Sequence, residues 1–210
     1  MDVMEAILTR RSIRRFADIP IPMQKIGPIL DAGRAAPSAG NLQPWKFIVV
    51  TDEAQKKAIA DACYQQFWMT KAPVYIVVVA EVEKCEQYYG MRGEKVYSIQ
   101  NTSAATMNMI LAAHAQGLAT CWVSAFDEGM MSRVCALPDT AVAHAVIPIG
   151  LADEKVPTPP RYNVEIVTFF DRYGRRTVDW DWVLGHYSSF VQQALSKGKD
   201  FVDNLAKKLQ

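Results

Sequence analysis

The sequence predicts an α+β domain in which helices cover a single β-sheet. Helical periodicity is clearest over residues 97–116, while residues 74–79 and 143–149 form continuous apolar runs. An apolar run of β-branched residues without alternation is typical of a strand that is buried on both faces. The length of 210 residues suits one domain with a sizeable core.

The other elements are predicted from local patterns in chain order. The first helix is expected over residues 2–9, where Asp2 is placed to cap the first turn. Gly117 is expected to end the long helix, and Gly150 to end the last strand. We further expect helices over 22–36, 52–64 and 130–135, a loop over 36–41, and strands over 45–50 and 120–123.

The C-terminal part of the chain differs in composition. Residues 152–162 contain Pro157, Pro159 and Pro160, which exclude regular secondary structure there. We therefore expect one domain over 1–174. An apolar stripe in the remaining residues predicts a helical extension over 175–210 that packs on the domain or on a partner subunit, although a plain surface helix would show a similar stripe.

Composition and charge exclude several classes of protein. The formal net charge of +1 provides no overall field for nucleic acid or for an anionic membrane. We expect no signal peptide, and the longest apolar stretch, 72–80, is too short to span a bilayer. The four cysteines form no C-x-x-C pair, so we expect reduced thiols, a cytoplasmic location and no metal site.

A basic cluster directly follows the first predicted helix. In an extended segment alternate residues point the same way, so Arg10, Ser12 and Arg14 would converge on one ligand while Arg11 and Ile13 face elsewhere. Guanidinium groups and a hydroxyl match the oxygens of a phosphomonoester. From these residues alone, a solvated basic turn is an open alternative.

A second cluster of small and polar residues lies in the loop before the first strand. Pro37, Ala39 and the neighbouring glycine would let the backbone approach a flat ligand, and Ser38, Asn41 and Gln43 would supply donors and acceptors to a heteroaromatic edge. An ordinary helix-to-strand loop has the same composition. Neither G-x-x-x-x-G-K-[ST] nor G-x-G-x-x-G after a strand is present, so no dedicated dinucleotide-binding domain is predicted.

Four motifs occur in an order that resembles the FMN-dependent nitroreductase family. They are R-R-S-I-R-R-F at 10–16, A-P-S-A-G-N-L-Q-P-W-K-F at 36–47, G-L-A-T-C-W at 117–122 and I-P-I-G at 147–150. The resemblance covers residues 1–174. It implies an α/β sandwich with a mostly antiparallel central sheet, assembled as an intertwined homodimer with a flavin site at each end of the interface.

The resemblance also implies which residues bind FMN. Arg10, Arg11 and Ser12 would hold the phosphate, and Arg14 would lie near the phosphate or the pyrimidine side of the ring. Arg161 would return to the phosphate, whereas a second basic residue of the family is replaced here by Pro159. The remaining implied residues are Pro37, Ser38, Ala39, Asn41 and Gln43 from the other subunit, the backbone at Ser124 and Ala125 near flavin N5, Ile149 and Gly150, and an amide from Gln65 or Gln66.

The implied activity is hydride transfer from NADH or NADPH through flavin N5 to a nitroaromatic, quinone or similar acceptor, in a ping-pong cycle. No acid–base side chain is required, since the chemistry belongs to the flavin and Arg14 would only stabilise negative charge. A reductive dehalogenase or metabolite dehydrogenase on the same scaffold, or a non-catalytic FMN-binding protein, are alternatives that the sequence leaves open.

Other polar residues have less specific interpretations. His114 lies on the apolar stripe of the long helix and is expected to pack in the core or at an interface, and His144 and His186 lack a second ligand at metal spacing. The residues Tyr88, Tyr89, Met91 and Arg92 would either contact the substrate or form a mobile surface excursion.

Overall fold

A four-stranded antiparallel sheet forms the centre of the fold. The computed structural model describes residues 1–176 and Val183. The strands follow the spatial order β1-β2-β4-β3, and every neighbouring pair is antiparallel. Their bounds are Trp45–Val50 (β1), Val74–Glu81 (β2), Ala119–Thr120 (β3) and Ala141–Gly150 (β4).

The two central strands confirm the prediction from continuous apolar runs. All residues of β2 from Val74 to Ala80 are buried, and β4 is buried from Ala145 to its end. The edge strand β3 is shorter than predicted, because beyond Thr120 only Val123 pairs again with β4, through an isolated bridge to Val146. Cys121 and Trp122 therefore leave the sheet.

Seven α-helices are present among the described residues. They are Val3–Thr9 (α1), Ile26–Arg34 (α2), Glu53–Ala62 (α3), Val82–Arg92 (α4), Ser98–Ala115 (α5), Glu128–Cys135 (α6) and Val164–Val167 (α7). The predicted cap of α1 is confirmed, since the Asp2 carboxylate accepts a 2.8 Å hydrogen bond from the backbone N–H of Glu5. Helix α2 begins later than predicted, after a 3₁₀ turn at Met23–Lys25.

Helix α4 was not predicted from the sequence. Only Cys85 is buried on it, so the apolar residues show no clear helical stripe. The helix is interrupted at Gly90 and continues through a π-helical turn, Gly93–Tyr97, into α5. The segment that contains Tyr88, Tyr89, Met91 and Arg92 is thus helical, with non-helical backbone at Gly90.

Helices cover both faces of the sheet. Alternate residues of β2 point to opposite faces and belong to two different clusters of the core. Tyr75, Val77 and Val79 belong to the cluster that includes residues of α3 and α6. Val74, Ile76 and Val78 belong to the cluster that includes residues of α2 and α5. The α+β sandwich predicted from the sequence is confirmed.

The contacts divide the chain into two units, Met1–Thr158 and Pro159–Gln210. The first unit contains the sheet and helices α1 to α6, and the described part of the second contains α7. Most of the predicted extension over 175–210, including His186, lies outside the described residues, so the division after residue 174 stays a prediction. None of the described helices is long and apolar enough to cross a membrane.

A buried lysine links α3 to the chain before β2. The side chain of Lys56 is 2% exposed, and its Nζ donates to the backbone carbonyl of Ala72 at 3.0 Å and lies 2.8 Å from a carboxylate oxygen of Glu53. The ammonium also lies 5.9 Å from the centre of the Tyr75 ring. These contacts compensate for removing a charge from water.

We expect Lys56→Ala to lower the free energy of unfolding by about 2–4 kcal/mol, because it leaves a cavity and a buried carbonyl without a donor. Urea denaturation would measure this change. Lys57→Ala is the matched control, since Lys57 is exposed on the same helix. A loss no larger than that of the control would contradict a structural role for Lys56.

Candidate functional site

The basic cluster lies beside a small cavity in the first unit. The cavity has a volume of about 130 Å³. Its polar lining includes Arg10, Arg11, Ser12 and Thr120, and its apolar lining comes from Met107, Ile110 and Trp122. The chain segment after α1, the helix α5 and the strand β3 thus meet at one place.

Pairing with the edge strand positions the basic segment. Arg10 ends α1, where its backbone N–H donates to the carbonyl of Ala6 at 3.1 Å. Ser12 then forms a parallel bridge with Thr120, and the N–H of Ile13 donates to the Thr120 carbonyl at 2.9 Å. Ile13 is buried in the core and does not line the cavity, so the prediction that it faces elsewhere than Ser12 is confirmed.

The structure corrects the predicted orientation of Arg11. Its Nη1 donates to the carbonyls of Leu8 (2.9 Å) and Arg10 (2.7 Å), and its Nη2 donates to the hydroxyl of Thr158. The long side chain therefore returns along the backbone, and Arg11 lines the same cavity as Arg10 and Ser12. The expectation that Arg11 faces elsewhere is wrong, because alternation describes only where a side chain begins.

The two arginines differ in their partners. Arg10 is half-buried, and its guanidinium makes no hydrogen bond or ion pair with a side chain or carbonyl of the described residues. Its donors are thus available to a ligand, whereas those of Arg11 also bind the last carbonyls of α1. A half-buried guanidinium with no partner in the described part of the chain fits an anion.

Arg14 does not converge on this cavity with Arg10 and Ser12, contrary to the alternation. It is exposed and is absent from the described lining. Its backbone N–H and that of Arg15 both donate to one carboxylate oxygen of Glu154, at 2.6 and 3.0 Å. Arg15 also lies 3.3 Å from a carboxylate oxygen of Asp153. Glu154 therefore fixes the backbone that presents Arg14.

The loop before β1 is held in a strained conformation. Gly40, Asn41 and Gln43 have positive φ angles of 56°, 55° and 49°. The hydroxyl of Ser38 accepts a 3.0 Å hydrogen bond from the N–H of Gln43, and the side-chain amide of Gln43 donates to that of Asn41 at 3.1 Å. Pro37 is exposed, as are Asn41 and Gln43. Left-handed backbone at residues other than glycine persists where neighbouring contacts enforce it.

Two residues outside the loop support it, and neither was predicted. The amide oxygen of Asn101, on α5, accepts a 2.9 Å hydrogen bond from the N–H of Ala39. The hydroxyl of Tyr89, on α4, lies against Gly40, so a Cβ added at Gly40 would require the Tyr89 side chain to shift. The Tyr89 ring meets the Tyr97 ring edge-on at 5.0 Å. Residues 98–103 of α5 are mostly polar, so no local sequence signal identifies Asn101.

The loop and the cavity do not form one pocket within a single chain. No loop residue lines the cavity. Asn101 supports the loop, and Met107 lines the cavity. The two residues are six positions apart on α5, which corresponds to about 9 Å along the helix axis. The loop and the cavity therefore contact α5 at different places along its length.

The remaining predicted residues fall at three places. Ser124 and Ala125 are exposed, and the Ala125 carbonyl accepts a 3.3 Å hydrogen bond from the amide of Gln66, which places Gln66 rather than Gln65 beside them. Ile149 and Gly150 are buried in β4, and a Cβ at Gly150 would lie 2.9 Å from Pro73.

Ile149 and Gly150 are enclosed by the core and do not line the cavity, so their predicted role in cofactor binding stays a prediction. Ile149 pairs with Thr120, which itself lines the cavity. Arg161 lies in the second unit and is exposed, so its role stays a prediction.

The described side chains do not form a conventional nucleophilic or metal site. Burial raises the pKa of all four thiols, that of Cys63 to about 12, which leaves them protonated and weakly nucleophilic near neutral pH. No group of three potential metal ligands occurs among the described residues. The donor set around the cavity instead fits the phosphate of a cofactor that carries its own chemistry.

Comparisons with known proteins identify the family of this chain. Residues 7–69 and 63–151 match the model of the Nitroreductase family. A protein of Methanothermobacter thermautotrophicus, provisionally described as NADH dehydrogenase/NAD(P)H nitroreductase, is 34% identical over 177 residues, which are 79% of this chain and 87% of that protein. NADH dehydrogenase of Thermus thermophilus is 31% identical, with 74% of this chain and 89% of that protein covered.

A solved structure shows the same fold. The FMN-dependent nitroreductase of Clostridium difficile R20291 superposes with a TM-score of 0.67 at 25% identity, covering 84% of this chain and 99% of that one. The family model matches more than half of the present chain, and its span includes the basic cluster, the strained loop and the last strand. The chain therefore belongs to the nitroreductase family.

Proposed function

We propose that this protein is a homodimeric FMN-dependent oxidoreductase that takes hydride from NADH or NADPH and reduces nitroaromatic, quinone or similar acceptors. The observation that carries the proposal is the cavity lined by Arg10, Arg11 and Ser12. Family membership supports FMN as the ligand of that cavity, and the names of the relatives support NADH or NADPH as the electron donor.

The cavity suits the phosphate end of FMN. Its volume of about 130 Å³ accommodates a phosphate group but not a three-ring isoalloxazine. In this arrangement the Arg10 guanidinium and the Ser12 hydroxyl bind phosphate oxygens, while Arg11 adds positive charge and keeps the end of α1 in place. The ring would then extend from the cavity towards the protein surface.

A second subunit would cover the ring. The loop with Pro37, Ser38 and Asn41 lies away from the cavity of its own chain, so it would contact the flavin bound by a partner. Exposed apolar side chains support such an interface, among them Val3 (71% exposed) and Ile99 (48%).

When bound, the flavin supplies the redox chemistry, accepting hydride from the nicotinamide and passing it to the acceptor. The chain binds and orients it. The backbone at Ser124 and Ala125, held by Gln66, would supply donors near N5, and Arg14 would supply positive charge beside the ring. We further propose a cytoplasmic location, since all four cysteines are free thiols.

We expect Arg10→Ala combined with Ser12→Ala to weaken FMN binding by about 100-fold or more, because charge-assisted hydrogen bonds contribute about 1.5–3 kcal/mol each. Fluorescence titration of the apoprotein with FMN would measure this. Arg15→Ala is the control, since Arg15 is exposed and pairs with Asp153 instead of lining the cavity. Unchanged affinity in the double variant would exclude the proposed phosphate site.

Anaerobic addition of NADH or NADPH to the FMN-loaded protein should bleach the flavin absorption within one turnover, because the nicotinamide reduces the flavin directly. Stopped-flow absorption would record this step, and a panel of nitroaromatic and quinone acceptors would then restore the oxidised spectrum. Free FMN with the same nucleotide is the control. If neither nucleotide bleaches the flavin, the proposed activity is wrong.

Subunit mixing would test the shared site. We expect two inactive variants, Arg10→Ala with Ser12→Ala and Ser38→Ala with Asn41→Ala, to recover activity after they are unfolded and refolded together. Hybrid dimers contain one site with both parts intact, so about a quarter of all sites should work. Each variant refolded alone is the control. No recovery in hybrids that are shown to form would contradict a site built from two chains.

A further inference from the structure

His114 connects helix α5 to the end of α1. Its Nε2 lies 2.9 Å from the hydroxyl oxygen of Thr9, which is the last residue of α1. The Thr9 hydroxyl donates its own proton to the carbonyl of Glu5 at 2.6 Å. A hydroxyl has a single proton, so Thr9 accepts from His114, and the ring carries a proton on Nε2.

The face of α5 that carries His114 also lines the phosphate cavity. His114 follows Met107 and Ile110 at spacings of seven and four residues, which place the three side chains on one face of the helix. Met107 and Ile110 line the cavity. His114 thus holds the residue that directly precedes Arg10, and it does not itself line the cavity.

We propose that His114 is a positioning residue for the phosphate-binding segment and that protonation of its ring strengthens the binding of the FMN phosphate. The proposal rests on the proposed function, because it takes the ligand of the cavity to be FMN. The imidazole does not contact the phosphate in this arrangement and acts through Thr9 and through its charge.

The charges around His114 determine the direction of the effect. Burial lowers the pKa of His114, and the guanidinium groups of Arg11 and Arg10 lower it further, while Glu5 opposes them. A bound phosphate offsets the arginine charges and so favours the imidazolium. The Nε2 proton is present in both states, so the hydrogen bond to Thr9 persists on protonation.

The coupling between phosphate binding and the protonation of His114 sets the direction of the pH dependence. If phosphate binding raises the pKa of His114, the protonated protein binds FMN more tightly than the neutral protein. The affinity gain is then present at low pH and is lost as the pH rises through the pKa of the bound state. The ionisation of the phosphate itself acts in the opposite direction, because the monoanion binds arginine less strongly than the dianion.

His114→Gln separates these effects. The glutamine amide can donate to Thr9 in place of Nε2 but does not titrate. We expect the ratio of the dissociation constants for FMN, variant over wild type, to rise between about pH 8 and about pH 5.5, by up to about tenfold for each unit of pKa shift. The phosphate ionisation cancels in this ratio. A ratio that is constant over the range would overturn the proposal.

A titration of the ring tests the same linkage without using affinity. NMR of His114 in the apoprotein and in the FMN complex should show a higher pKa in the complex, and equal values would overturn the proposal. Thr9→Val removes the hydrogen bond but keeps the imidazole, so it should weaken FMN binding several-fold and retain the pH dependence. A Thr9→Val variant with the affinity of the wild type would exclude a positioning role.

These results distinguish a failure of the proposed role of His114 from a failure of the proposed FMN site. If the wild-type protein binds no FMN at either pH, the assignment of the cavity to FMN fails. If it binds FMN and the ratio does not change, the cofactor assignment stands and only the role of His114 fails. Neither outcome depends on the activity of the loaded enzyme.

Discussion

The hydrogen bond from the N–H of Ile13 to the carbonyl of Thr120 attaches the basic segment to the sheet, and the site depends on this attachment. Ile13 buries its side chain in the core, so the same residue supplies the backbone contact and the apolar anchor. Thr120 pairs on its other side with Ile149, at the end of β4. The basic segment is therefore fixed to the most buried part of the fold, although it follows a short exposed helix.

This anchoring gives neighbouring arginines different functions. Arg11 donates to carbonyls at the end of α1, where the helix dipole places negative charge, so much of its interaction energy stabilises the fold. Arg10 has no corresponding acceptor among the described residues. An anion in the cavity would therefore gain most from Arg10, and its binding would relieve the repulsion between the two guanidinium groups.

The elements that were predicted correctly are those with a local pattern of apolar residues. Strand β2 follows from a continuous apolar run, and α5 follows from its periodicity, because both bury most of their residues. Helix α4 was missed because it buries only Cys85, so its apolar residues form no stripe. In the site, alternation placed Ser12 and Ile13 correctly and failed for Arg11 and Arg14. The supports from Asn101 and Glu154 join residues that are distant in the sequence, and no local pattern predicts such pairs.

The strained loop also bears on the proposed association with a second chain. Left-handed backbone at Asn41 and Gln43 costs about 1 kcal/mol or more at each residue. Contacts with Ser38, Asn101 and Tyr89 offset this cost. Ordering a loop at an interface normally opposes association. Because this loop is already ordered within its own chain, that cost is met during folding, and a partner would encounter a surface of fixed shape.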